Sequence, residues 1–136
     1  MTNTTALTIS TSTSRGADTY GYTIVRLDDP TTGKRYRCMG GGYDMVGTVF
    51  AEWLQETHQD ALQAVKGRAY YSPGDLMHPN ADGLYGMRLR SDGTVTLDGA
   101  CGLESIRRIA KEIGVDVTTT YSKRAGRTVA LVVTTV

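Results

Sequence analysis

Gly40, Gly41 and Gly42 stand in a row between Cys38-Met39 and Tyr43-Asp44, directly ahead of the clearest amphipathic helix pattern in the chain. Glycines at a helix entrance carry no side-chain bulk and leave the first N–H groups bare. Bare N–H groups at the positive end of a helix are suited to a phosphate. The segment lacks the Lys-Ser/Thr pair of a P-loop and the βαβ frame of a dinucleotide fold. An anion cradle built on Gly40, Gly41, Gly42 and Tyr43 therefore competes with a plain strand-to-helix corner in which Tyr43 packs as the entry residue.

Cations form the second candidate group. Arg35 and Arg37 are two residues apart, as are Arg88 and Arg90, so a strand puts each pair on one face. Lys34, the turn residues Lys123, Arg124 and Arg127, and Arg107, Arg108 and Lys111 on a helix add to them. If the strand faces align, with Tyr36 and Tyr85 interleaved, they offer phosphate contact and base stacking. The competing reading is an ordinary solvated sheet face. A formal net charge of +1 gives no global attraction to nucleic acid or to an anionic membrane.

The chain has eight tyrosines against one phenylalanine and one tryptophan, a bias toward rings that keep a polar tip. Tyr70 and Tyr71 sit beside Ser72-Pro73-Gly74 in the stretch 68–83, which has no clean period and also holds His78. Tyr70, Tyr71 and His78 read as an interaction loop, or equally as an anchor of that loop onto the core. Catalytic readings are thinner. Cys38 and Cys101 each precede a helix start, where a thiolate is favoured, but no base can be assigned to either. His78, Asp75 and Asp82 lack metal-ligand spacing. The expectation is a protein that is not an enzyme and that holds no metal or cofactor.

The elements that must position these residues follow from periodicity. Tyr22 to Arg26 alternates as a strand, Asp28-Asp29-Pro30-Thr31-Thr32-Gly33 supplies a turn, and Lys34 to Cys38 returns. Val46, Val49, Phe50, Trp53, Leu54, Thr57, Ala61 and Val65 recur every three or four residues, predicting one helix from an Asp44 N-cap to Lys66-Gly67. Gly47 within its first turn implies that something packs closely there. Leu84–Arg90 and Thr94–Leu97 predict a second hairpin, 103–113 a second helix stopped by Gly114, and 115–121 with 128–136 a third hairpin. This order predicts an α+β fold, an antiparallel sheet of β-hairpins with two helices packed on one face.

At 136 residues, with 40% hydrophobic and 21% charged, the chain is long enough for one domain with its own core. Residues 1–14, rich in threonine and serine, read as a polar N-terminal arm or edge strand, and 15–136 as a single α+β domain. No apolar run approaches the ~20 residues of a membrane span, and the first residues lack the pattern of a signal peptide, so a cytoplasmic setting without membrane attachment is expected. The two cysteines are expected as thiols. The apolar strand Val129-Ala130-Leu131-Val132-Val133, if it lies at an edge, implies homo-oligomerisation.

The stretch Gly40-Gly41-Gly42-Tyr43-Asp44-Met45-Val46-Gly47-Thr48-Val49-Phe50, together with Leu97-Asp98-Gly99-Ala100-Cys101-Gly102, resembles small uncharacterised bacteriophage-encoded proteins. The resemblance implies an accessory phage-type product acting in the host cytoplasm and carries no catalytic residues with it. The leading functional expectation is a non-enzymatic binding protein for a phosphate-bearing ligand, nucleic acid or nucleotide. The alternatives are a protein–protein interaction module that inhibits a host or defence enzyme, and a small enzyme with a cysteine or histidine in its site.

Overall fold

The computed structural model describes residues 3–14, 22–40, 45–75 and 77–135. The fold is α+β, as the hairpin and helix patterns predict, with helices packed on an antiparallel sheet. That sheet has five strands in the order β3 (Lys34–Gly40), β2 (Tyr22–Asp29), β1 (Asn3–Ser14), β8 (Arg127–Thr135), β7 (Val115–Ser122). The second hairpin lies apart from it. β5 (Leu84–Leu89) and β6 (Val95–Leu97) join β4 (Ala69–Tyr71) in a separate three-stranded sheet, where β4 and β5 run parallel.

Three expectations are corrected here. β1 is neither an arm nor an edge strand. It is the middle strand, paired with β2 through Thr8–Asp28 to Ser14–Tyr22 and with β8 through Asn3–Thr135 to Thr8–Ala130. β8 likewise pairs on both sides, so Val129–Val133 offers no free edge for self-association. The stretch 68–83 is not wholly irregular, because β4 lies within it.

The single long helix is in fact two. α1 (Val46–Thr57) ends at His58, and α2 (Gln59–Ala64) restarts from it. The break turns the buried face, so that Leu62 rather than Ala61 reaches the core and Thr57 is exposed. Asp44 lies outside the described residues. The residue that borders α1 is Met45, which makes no side-chain cap. α3 (Leu103–Glu112) follows the prediction closely and ends at Gly114, whose φ of 79° needs no Cβ.

α1 and α3 lie between the two sheets. α1 packs against β2 and β3 on one side and β6 on the other, while α3 packs against β7 and β5. This explains why seven of the twelve residues of α1 are buried, a wider apolar surface than a one-sided helix needs. Leu7, Leu27, Val49, Phe50, Leu54, Ile106, Ile109 and Leu131 form the shared core. The opposite face of the five-stranded sheet carries exposed Thr4, Thr8, Thr118 and Thr120, the polar half of the strand alternation.

Among the described residues one charge enters the core. Asp29 is only 3% exposed and accepts from Trp53 Nε1 at 2.8 Å and from the Thr31 N–H at 2.9 Å. Burial alone raises a carboxyl pKa, but these bonds with those from Thr32 outweigh it and hold Asp29 below the ordinary value.

Candidate functional site

The residues best placed for recognition gather on β4 and β5. β5 does not keep a strict two-residue period. Gly86 takes φ 97°, lies 3.5 Å from Cys101 Cβ (measured from its own ideal Cβ position), and accepts the Asp98 N–H at its carbonyl. The pairing slips here, since Leu84 stands opposite Ala69 but Arg88 opposite Tyr71, so exposed Tyr85 and half-buried Arg88, three apart, both reach the tyrosine surface while Leu84, Gly86 and Met87 are buried. The outcome is a cluster. Tyr70 meets Tyr71 edge-on at 4.7 Å between centroids and Tyr85 edge-on at 5.3 Å, and the Arg88 guanidinium lies over the Tyr71 ring at 5.3 Å.

Edge-to-face rings and a cation over a ring face hold one another in place without burying their polar tips. Tyr85 is 54% exposed, although it takes part in these contacts. A hydrogen bond with Cys101 pushes its phenol pKa above the ordinary tyrosine value. The cluster borders a cavity of about 200 Å³ that also reaches Asp98 and Cys101. That is smaller than a site for a drug-sized molecule (about 300–1,000 Å³) and suits one ring system. Tyr85 also lines a second cavity of about 470 Å³ that holds Arg107, Arg108 and Lys111 of α3.

The predicted residues whose structure is described separate into four places. Tyr70, Tyr71 and Arg88 come together as described. Arg90 shares the Arg88 face, since its Nε donates to Oγ1 of Thr96 and Thr96 stands opposite Arg88 across the hairpin. Arg35 and Arg37 do share a strand face, and Arg26, opposite Arg37, joins them; Arg35 Nε holds Asp28 at 2.6 Å. Their sheet is the other one, with α1 between β3 and β6. Tyr36 points inward, away from Arg35 and Arg37, and is buried, so it cannot interleave with them. His78 is exposed on the turn after β4, its N–H bonded to the Asp75 carbonyl.

Gly40 ends β3, and Gly41, Gly42 and Tyr43 lie outside the described residues. Beside Gly40 is an apolar cavity of about 280 Å³ lined by Cys38, Met39, Met45, Thr48, Ala100 and Gly102, with no cation among them. Arg35 and Arg37 point to the far side of the sheet from Cys38, and Arg88 and Arg90 belong to the other sheet. Gly40 and the basic pairs are therefore not brought together. Burial and the neighbouring Glu52 push the Cys38 thiol pKa up, opposite to what a nucleophilic cysteine needs. Cys38 and Cys101 are both free thiols. Among the described residues no group of three or more His, Cys, Asp or Glu is arranged to hold a metal, and no helix is long and apolar enough to cross a membrane.

The placement of α3 beside Tyr85 was outside the reach of sequence reasoning, although Gly86 inside a strand pattern is itself a signal of a bulge. Compared with known proteins, the chain matches no family model, no curated protein and no solved structure.

Proposed function

We propose that this chain is a non-enzymatic binding protein for a phosphate-bearing aromatic ligand, a nucleotide or a nucleic acid strand, taken up at the β4–β5 surface. The observation that carries the reading is the contact of Tyr70 with both Tyr71 and Tyr85 beside the Arg88 cation. A base ring stacks on tyrosine without regard to its identity, at about 1–3 kcal/mol per base, and arginine answers the phosphate. Arg90 on the same face extends the cationic side. The phage-type, cytoplasmic context implied by the resemblance belongs to the same proposal.

The test is a titration with a labelled single-stranded oligonucleotide and, separately, with a nucleoside triphosphate. Binding weakens between ~50 and ~200 mM salt, in proportion to the phosphates engaged. Tyr85→Ala lowers affinity at every salt concentration, whereas Arg88→Ala with Arg90→Ala lowers it and flattens the salt slope. Curves unmoved by salt and by all three substitutions would sink the reading.

A further inference from the structure

β7 closes one end of the five-stranded sheet and, among the described residues, pairs with β8 on one side only. In an antiparallel strand, alternate residues turn their N–H and C=O groups toward the partner and away from it. Arg107 Nη2 donates to the Val117 carbonyl at 2.9 Å, which identifies Val117, and with it Val115 and Thr119, as the residues facing the open side. α3 stands beside this edge, and the cavity of about 470 Å³ between them carries Arg107, Arg108 and Lys111.

The edges of the two sheets are treated differently. On β6 the free groups are answered by glutamines from the helices: Gln55 Oε1 accepts the Leu97 N–H, and Gln59 both accepts from Val95 and donates to it. On β7 one arginine holds one carbonyl. Arg107 also binds Glu104 Oε1 at 2.8 Å, so its guanidinium already lies within reach of a carboxylate beside the strand. Arg108 and Lys111 are exposed, and among the described residues neither has an ion-pair partner. Glu104 and Asp116 also line the cavity, so its three cations outnumber two acids, and Glu104 is already bound by Arg107.

We propose that the α3–β7 groove takes an acidic peptide segment in extended conformation, added to the sheet as a further strand beside β7. Main-chain bonds to Val115, Val117 and Thr119 supply the pairing, Arg107 releasing the Val117 carbonyl as it turns to the incoming carboxylates. Glutamate or aspartate side chains at alternate positions turn toward Arg107, Arg108 and Lys111 and fix the register. Charge complementarity selects the partner, because an uncharged segment gains the pairing but leaves the cations unanswered. This surface is independent of the ligand reading above, apart from Tyr85 at its end.

The probe is a blocked peptide of about eight residues alternating threonine and glutamate, the length of an ordinary strand. Its controls are the threonine–lysine version and a glutamate version N-methylated at alternate residues. The acidic peptide binds and shifts the amide resonances of Val115, Val117 and Thr119. The lysine peptide and the N-methylated peptide each bind at least about tenfold more weakly. Arg108→Glu with Lys111→Glu gives a similar loss, and both residues are exposed, so the fold is retained. Tyr70→Ala and Arg88→Ala leave peptide binding unchanged, which separates this proposal from the ligand reading. Equal binding of the N-methylated peptide would show attraction by charge alone and overturn strand addition. So would self-association through β7, or an oligonucleotide occupying the groove in place of the peptide.

Discussion

Gly47 and Gly99 meet backbone to backbone where α1 opens. A Cβ added to Gly99 would overlap Thr48 Cα, and one added to Gly47 would lie 2.8 Å from the Leu103 N. The two glycines let the first turn of α1 rest on the short Gly99–Cys101 turn that leads into α3, and so fix the angle between the two helices. Gly47→Ala should be destabilising even though alanine is the better helix former by about 1 kcal/mol. Overpacking against main chain, which has no side-chain rotamer to yield, costs about 1–3 kcal/mol. Gly99→Ala should cost more than Gly47→Ala. Urea unfolding of both variants checks the order, and a stabilised Gly47→Ala would refute it.

Asp29 and Trp53 make the second prediction. Asp29→Ala leaves the Trp53 Nε1–H and the Thr31 N–H without acceptors in the core, a loss of about 2–3 kcal/mol. Because the folded pKa lies below the unfolded one, the contribution of Asp29 is fully present above the unfolded value of 3.8 and is lost as pH falls through the folded value. Acid titration followed by Trp53 fluorescence should show this step in the parent protein and not in Asp29→Asn.

His58, at the break between α1 and α2, packs its ring on Trp53 at 5.3 Å between centroids. Burial lowers its pKa, so the folded state prefers the neutral ring. Stability from this site is complete above the unfolded pKa of about 6.5 and declines as pH falls below it, since the unfolded chain binds the proton first. His58→Gln should remove that part of the pH dependence. An imidazole resonance of His58 titrating above 6.5 would contradict it.

Gln55 and Gln59 close the open edge of β6. Gln59→Ala removes an acceptor from the Val95 N–H and a donor to the Val95 carbonyl, and Gln55→Ala removes the acceptor of the Leu97 N–H. Each should cost about 1 kcal/mol, and the double variant should expose an edge that pairs with another chain. Chemical unfolding with light scattering reads both effects.

Gly86 sets the outward direction of Tyr85 and Arg88 together. Gly86→Ala forces a left-handed φ on a residue with a Cβ, a strain of about 1–3 kcal/mol. Relief of that strain shifts β5 and parts Tyr85 from Tyr70. Ligand affinity at the β4–β5 surface should therefore fall further than in Gly93→Ala, which alters a positive-φ turn residue with no neighbour within 4 Å of the added carbon. Equal affinity in the two variants would count against the role of Gly86.

Local pattern made several of these features legible. The turn at Gly33, the hairpin turned at Gly93, α3 with its stop at Gly114, and a close neighbour for Gly47 all follow from spacing between residues near in sequence. The helix break at His58 did not, because Thr57 and Ala61 continue the apolar spacing and only packing decides that Leu62 turns inward. For the candidate site, the tyrosines and Arg88 were visible as residue types. Their meeting was not, since β4 and β5 pair across the intervening turn segment and Gly86 resets the alternation.

By itself the sequence determined the three hairpins, α3 and the apolar stripe of α1 as far as Leu54, because those depend on near neighbours and on a fixed backbone period. Strand order belongs to the tertiary structure alone. Alternation states that a strand has two faces but says nothing of its neighbours, so the polar run Asn3–Ser14 becomes the middle strand and Val129–Val133 is shielded on both sides. The same long-range pairing parts Arg35 and Arg37 from Arg88 and Arg90, leaves no cation among the described residues lining the Gly40 cavity, and brings α3 beside Tyr85.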